Sequence, residues 1–326
     1  MTWAMFIAFL AKTIKTSSVF IFGSTGEIVT EKSGHLNMGI PGIMFLGALG
    51  GLIGERIYLN TVPADVALNP FMIIFMPILF ALIFACMGGL LFAFFTVTLK
   101  RNHNVTGLTI TTFGVGISTY FMSPEYIASD RISEAGLALQ SLIKVDWGSN
   151  WFGTVFLSQS FFTYLAVIIA IVAAIVLART RIGLNLRACG ENPAAADAAG
   201  INVDLYRYLA TIIGAGIAGL GGMAFEMDVL KGFFNAKDAV DAYGWLCLSL
   251  VIFSMWKPSI TIGGSFLFGA LSQLKYFLNL NSVQQQVFSI LPYLVTIIVL
   301  VLTSVFNKKN AQPPAGLGIT YFREDR

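Results

Sequence analysis

Few residues in this sequence are of a type and spacing that could make or break a bond. The histidines His35 and His103 and the cysteines Cys86, Cys189 and Cys247 share no metal-ligand or dithiol spacing, and neither CxxC nor HExxH occurs. No metal site is expected, and each histidine reads as a loop residue. Serine and threonine are plentiful, yet none has a base at a recognisable spacing, and no GxxxxGK[ST] is present to cradle a nucleotide phosphate. The chemistry that remains is recognition by polar groups set in apolar surroundings. Asn37-Met38-Gly39-Ile40-Pro41-Gly42 places helix-disfavouring residues at the start of an apolar run, and Thr106, Thr109, Thr111 and Thr112 place hydroxyls on another. Irregular backbone at membrane depth is tolerated only where protein or a water-filled cavity satisfies its polar groups. Asn37, Gly39, Pro41, Gly42, Thr106, Gly107 and Thr109 are therefore expected to line or shape a central pathway. Phe45, Phe113, Tyr243 and Trp245 could stack on a flat heterocycle, whereas Gly47, Gly50, Gly51 and Gly54 read as points of close helix approach.

These groups need a scaffold, and composition defines it: 326 residues, 56% hydrophobic, 11% charged, mean hydropathy +0.77. Globular domains carry about 25% charged residues, and a span needs roughly 20 apolar ones. The expected fold class is an all-α integral membrane protein, a polytopic bundle of nine or ten transmembrane helices with broken helices around a central pathway. Apolar runs fall near 16–30, 36–59, 70–99, 105–124, 155–178, 205–230, 241–256, 259–280 and 285–306, with residues 1–15 a possible tenth. The N-terminus has its apolar residues before its lysines and does not read as a removable signal peptide.

Lys100, Arg101, Arg179, Arg181, Arg187, Lys257, Lys308 and Lys309 all fall on one side of these runs, which the positive-inside rule makes cytoplasmic. Residues 307–326 then form a cytoplasmic tail, and the segment 125–153, with Asp130, Glu134 and Asp146, faces out. Arg56, Lys231 and Lys237 are minority exceptions. The net charge of +3 lies in loops and speaks to topology, not to nucleic acid. The acidic residues sit mainly in loops or at span ends, with Glu226 and Asp228 the closest to exceptions, which counts against an ion-coupled carrier. IPGIMFLGALGGL at 40–52 matches IGGSFLFGALSQL at 262–274 at six of thirteen positions, a hint of the two-repeat build of transporters.

One polar stretch between two apolar runs, GLNLRACGENPAAADAAGINVDLYR, carries cues for a short helix. Asn192 is a favoured N-cap, Pro193 a favoured first residue, Ala194 to Ala199 strong helix formers and Gly200 a stop. A helix of about two turns is not stable alone in water. It must rest on its own membrane domain or on a partner, and Arg179, Arg181, Arg187 and Arg207 could hold it at the membrane face.

RIGLNLRACGENPAAADAAGINVDLYRYLA resembles the cytoplasmic loop of permease subunits of bacterial ABC importers, in the branched-chain amino acid and ribose permease superfamily and its nucleoside-type, basic membrane protein-linked branch. GEIVTEKSGHLNMGIPGIMFLGALGG, WLCLSLVIFSMWKPSITIGGSFLFGAL and LGITYFREDR extend the resemblance over nearly the whole chain. It implies one permease domain over residues 1–326 whose loop 179–204 carries a coupling helix, Pro193 to Ala199, for a separate ATPase. Arg187, Gly190, Glu191, Asn192, Pro193, Ala195, Ala196 and Gly200 are the implied coupling residues. The chain would bind no cofactor and would not be an enzyme, ATP and Mg being bound by the partner ATPase. The other implied partners are a second, homologous permease in a heterodimer, an extracytoplasmic substrate-binding lipoprotein and the lipid bilayer. The implied location is the bacterial cytoplasmic (inner) membrane, multi-pass, with a cytoplasmic C-terminus. The implied substrate is a nucleoside or similar flat heterocycle. One departure bears on it: many nucleoside-type permeases read Gly-x-Glu-Gly where this chain has Gly39-Ile40-Pro41-Gly42, with proline in place of the carboxylate. Riboflavin, branched-chain amino acids and sugars therefore stay open as substrates.

Overall fold

The computed structural model describes residues 2–63, 65–122, 130–141, 150–232, 240–278, 280–306 and 312–322. Their helices follow in chain order as α1 (Trp3–Glu31), α2 (Ile40–Thr61), α3 (Met72–Ala93), α4 (His103–Phe121), α5 (Asp130–Ser141), α6 (Phe161–Arg179) and α7 (Arg181–Glu191). Then come α8 (Pro193–Ala198), α9 (Val203–Ala224), α10 (Val240–Phe253), α11 (Pro258–Phe277), α12 (Ser282–Phe288) and α13 (Leu291–Phe306). Turns of π-helix extend α3 over Phe94–Thr98 and α9 over Phe225–Val229, and a third occupies Gly153–Leu157. Among the described residues six stretches are long and apolar enough to cross a membrane: Trp3–Glu31, Ile40–Thr61, Met72–Thr98, Phe161–Arg179, Val203–Val229 and Ser282–Val301. The other runs read as spans, α4, α10 and α11, are helices that fall short of that measure in length or hydropathy.

The possible tenth span is not a separate one: residues 3–15 are the first half of α1, a single helix of 29 residues, about 43 Å long at 1.5 Å per residue. Neither Lys12 nor Lys15 ends the helix. Lys15 pairs instead with the buried Asp228 at 2.8 Å. The last run is divided in the other direction, into α12 and α13 around Ser289 and Ile290.

The centre of the bundle is α1, α2 and α9, with Phe20, Phe22, Ile43, Met44, Leu49 and Met223 fully enclosed. The helices meet through glycines that let backbones touch. A Cβ on Gly47 would lie 2.2 Å from the carbonyl oxygen of Gly219, and one on Gly42 2.4 Å from that of Ile110, so α2 packs directly on α9 and α4.

Two opposite faces result. On one, the turn 32–39, α7, α8 and the C-terminal segment 312–322 pack together: Gly316 N–H donates to Gly190 at 2.8 Å and Gly318 N–H to Gly34 at 3.0 Å. Lys100, Arg101, Arg179, Arg181, Arg187 and Lys257 all belong to connections or helix ends on this face. On the other face Arg131 of α5 donates to the carbonyls of Leu59, Val62 and Pro63. Residues 125–129 and 142–149 of the outward segment, with Asp146, lie outside the described residues, as do Lys237, Lys308 and Lys309 and the tail residues 307–311 and 323–326.

The reading of the acidic residues is corrected. Glu27, Glu31, Glu55, Glu226 and Asp228 are all buried in the bundle. A single carboxylate scarcely lowers the hydropathy of a long apolar window, so the sequence shows its position and not its burial.

Candidate translocation and coupling sites

The first site is built on the turn between α1 and α2. After Glu31 the chain reverses at Gly34, whose φ of +91° suits a residue without a Cβ, and re-enters the bundle. Asn37 N–H donates to Glu27 Oε1 at 3.2 Å, and Asn37 Oδ1 accepts from Gly39 N–H at 2.9 Å, so the side chain replaces the helix hydrogen bonds missing before α2. Asn37 is fully buried and its Nδ2 has no partner among the described residues. Pro41 stands in the first turn of α2, where no backbone donor is needed. Thr111 Oγ1 donates to the Met38 carbonyl at 2.8 Å, and a Cβ on Gly107 would sit 2.8 Å from Met38 N.

The structure therefore gathers Asn37, Gly39, Pro41, Gly42 and Gly107 at one junction of α2 with α4. It does not bring the remaining pathway residues there. Thr106 is half-buried on α4. Thr109 and Phe113 are exposed on the face of α4 turned away from α2, and the Thr109 hydroxyl bonds its own helix at Val105, 2.8 Å away. Phe45 is packed in the core, and Tyr243 stacks on Phe20 and Phe225 with ring centroids 5.2 and 4.6 Å apart. Trp245 lines a separate cleft of about 600 Å³ beside Met38, Glu31, Ser249, Trp256 and Tyr293. Glu27, Glu31, Trp256, Tyr293 and Thr111 were missed as site residues. The signal for two of them was present in GEIVTEK, where carboxylates one turn apart precede the broken stretch, since an ionisable group within a span is functional by default.

Nor are the histidines plain loop residues. His35 and His103 are both buried, with ring centroids 4.7 Å apart at 78°, and His35 Nδ1 lies 3.1 Å from Thr211 Oγ1. Burial, reinforced by the Arg207 guanidinium, holds the His35 imidazole well below its ordinary range. Spacing could not show this, because sixty-odd residues separate two groups that the α1–α2 turn and the α3–α4 connection fold together.

The second site is α8 and its surroundings. Asn192 caps it, Oδ1 accepting from Ala195 N–H at 3.0 Å, Pro193 is its first residue, and Gly200 beyond its end has φ +83°. The helix stops at Ala198, one residue before the expected Ala199. The stretch before it is α7, capped by Thr180, whose Oγ1 accepts from Gly183 N–H at 3.1 Å. The short helix rests on its own chain: Ala196 is buried with Cys189, Val203 and Tyr321, and Tyr321 Oη donates to Asp197 Oδ2 at 2.8 Å. Gly190 is buried against Lys32, and Glu191 Oε2 accepts from Ala315 N–H at 3.1 Å. Arg187 is half-buried, its Nε reaching Gly183 O at 3.4 Å. Ala195, Ala198, Ala199 and Gly200 are left exposed.

Comparison with known proteins follows this division into a spanning bundle and a docked polar loop. Residues 9–300 match the family described as the branched-chain amino acid transport system, permease component. The chain belongs to this family. The permease is 30% identical over 317 residues, 94% of each chain, to the nucleoside ABC transporter permease protein NupC of Lactococcus lactis subsp. cremoris. It is 25% identical over 321 residues, 96% of each, to the guanosine ABC transporter permease protein NupQ of Bacillus subtilis. It is 30% identical over 277 residues, 82% of this chain and 76% of the relative, to a putative glucose ABC transporter permease protein, TsgC13, of Haloferax volcanii. No solved structure matches it. As a transport subunit, the permease is a multi-pass membrane protein.

Proposed function

We propose that this permease forms the path by which an ATP-driven importer takes up a nucleoside or a similar flat heterocycle. The observation that carries the substrate is the near full-length similarity to NupC and NupQ, named for nucleosides and guanosine. The Asn37–Gly42 junction, with its buried, unpartnered Asn37 amide, supports a polar step in an otherwise apolar route. A separate ATPase, binding ATP and Mg, docks on the exposed side of α8, around Ala195 and Ala199, and couples its closure to α6 and α9 on either side. A second, related permease completes the membrane domain, because one chain offers one coupling helix to a dimeric ATPase. The basic face is cytoplasmic, with the C-terminus on it, in a bacterial cytoplasmic membrane, and a substrate-binding lipoprotein approaches the opposite face.

A sugar is the second reading, favoured by the relative named for glucose. Uptake of labelled guanosine, adenosine, uridine and glucose by cells carrying the whole importer decides between them. Saturable nucleoside uptake that vanishes without the permease is expected, and uptake of glucose alone would replace this substrate. Copurification of the ATPase and the second permease with the tagged chain tests the assembly.

A further inference from the structure

The cleft beside Trp245 is built differently from the Asn37 junction. One face of α10 lines it, with Trp245, Ser249 and Ile252 at helical spacing, and Trp256 follows just past the helix end. Tyr293 of α13 stands opposite, and Glu31 reaches in from the end of α1. The walls are aromatic and aliphatic. Among the described residues no lysine, arginine or histidine lines it.

Glu31 is the polar centre. Its side chain is buried, and one carboxylate oxygen accepts the indole N–H of Trp256. Its carboxyl group offers acceptor positions beyond those taken by the Trp256 indole and the neighbouring Glu27 carboxyl. The Ser249 hydroxyl donates to Trp245 O at 3.2 Å, which leaves its own lone pairs as acceptors. The cleft therefore presents flat aromatic surfaces beside a cluster of hydrogen-bond acceptors.

This chemistry discriminates among small solutes. A zwitterionic amino acid needs a cation for its carboxylate, and none lines the cleft among the described residues. A monosaccharide presents hydroxyls on every edge, which walls of leucine, isoleucine and tryptophan would leave unpaired. Guanine has two apolar faces and an edge of N–H donors, N1 and the exocyclic amine, that pairs with a carboxylate, and a volume of about 600 Å³ admits it.

We propose that this cleft is the base-binding seat of the transported nucleoside, with the ring stacked between Trp245 and Tyr293 and its donor edge on Glu31. Glu31 comes from α1, whose neighbouring Glu27 holds the Asn37 backbone before α2. The assignment rests on the nucleoside reading and gives it a guanine-preferring edge.

The test uses the assembled importer. Irradiation of the unmodified complex in nanodiscs with 8-azidoguanosine should label the peptide of α10 that carries Trp245 or the peptide that carries Tyr293, and excess guanosine should suppress the label. Since the lipoprotein sets the concentration dependence of uptake, the variants are read by maximal uptake rate and by guanosine binding to the complex without lipoprotein. Glu31→Gln keeps an acceptor for Trp256 but replaces the other carboxyl oxygen with an amide donor. It and Trp245→Ala should each weaken guanosine binding about tenfold, the scale of one base stack, while Trp245→Phe should recover most of it. Label elsewhere in the chain, label displaced by phospholipid and not by guanosine, or full maximal uptake in both variants would overturn the cleft while nucleoside uptake itself stood. Absence of nucleoside uptake by the unmodified importer would overturn the substrate reading and this seat with it.

Discussion

Tyr321 donates a 2.8 Å hydrogen bond to Asp197 in the middle of α8, so the C-terminal segment 312–322 is fastened to the short helix of the polar loop. The fastening is continued by Gly316 on Gly190 and Ala315 on Glu191. A two-turn helix has no stability of its own, and these contacts with the buried Ala196 give it a fixed seat. Tyr321→Phe removes one hydrogen bond to a charged acceptor, a net contribution of about 1.5–3 kcal/mol and less at this part-buried place. The bundle should melt unchanged. Trypsin cleavage at Arg181 or Arg187 should rise, and nucleotide hydrolysis stimulated by loaded lipoprotein should fall several-fold.

Adjacent alanines of α8 should behave differently. Ala195 is exposed, whereas Ala196 is 3% exposed and packed on Cys189, Val203 and Tyr321. Ala195→Arg should leave the melting temperature of the permease alone intact and abolish stimulated hydrolysis in the complex. Ala196→Arg should lower the melting temperature as well, because an unpaired charge has no place in that contact. Comparison of melting curves with stimulated hydrolysis separates the two, and equal melting would contradict the packing described.

Gly42→Ala should separate α2 from α4. The new Cβ would meet Ile110 O at 2.4 Å and Thr111 Cα at 2.6 Å, both backbone, so no rotamer change relieves it. Overpacking of this kind costs about 1–3 kcal/mol. Gly116→Ala and Gly263→Ala have nothing within 4 Å and should be neutral in the same melting assay.

Acid should loosen the interior of the loop face. His35 stays neutral in the folded chain, where burial, Arg207, His103 and Lys100 all oppose its charge. Unfolded, it protonates near pH 6.5. The unfolded chain then binds the extra proton, so stability is full above about pH 6.5 and is lost as pH falls below it. Melting between pH 7.5 and 5.5 should show this loss, and His35→Asn should reduce it. An unchanged pH dependence in that variant would assign the effect to other groups.

The sequence by itself determined the class of protein, the order of the spans and the short helix. Apolar runs long enough for a bilayer, basic residues on one side and the Asn192-Pro193…Gly200 caps are local signals, because each is fixed by the transfer energy or backbone geometry of neighbouring residues. Tertiary structure decided what those elements enclose. Only the folding of α1 against α10 brings Glu31 to Trp256 across 225 residues of chain, and only the return of the C-terminus puts Tyr321 on Asp197. Periodicity on α4 could not say that Thr111 faces Met38 while Thr109 faces outward. In a helix apolar on every side no hydrophobic stripe marks the inner face, so which polar groups are buried together is set by backbone approach at glycines and by long-range pairing, neither of which has a local signature.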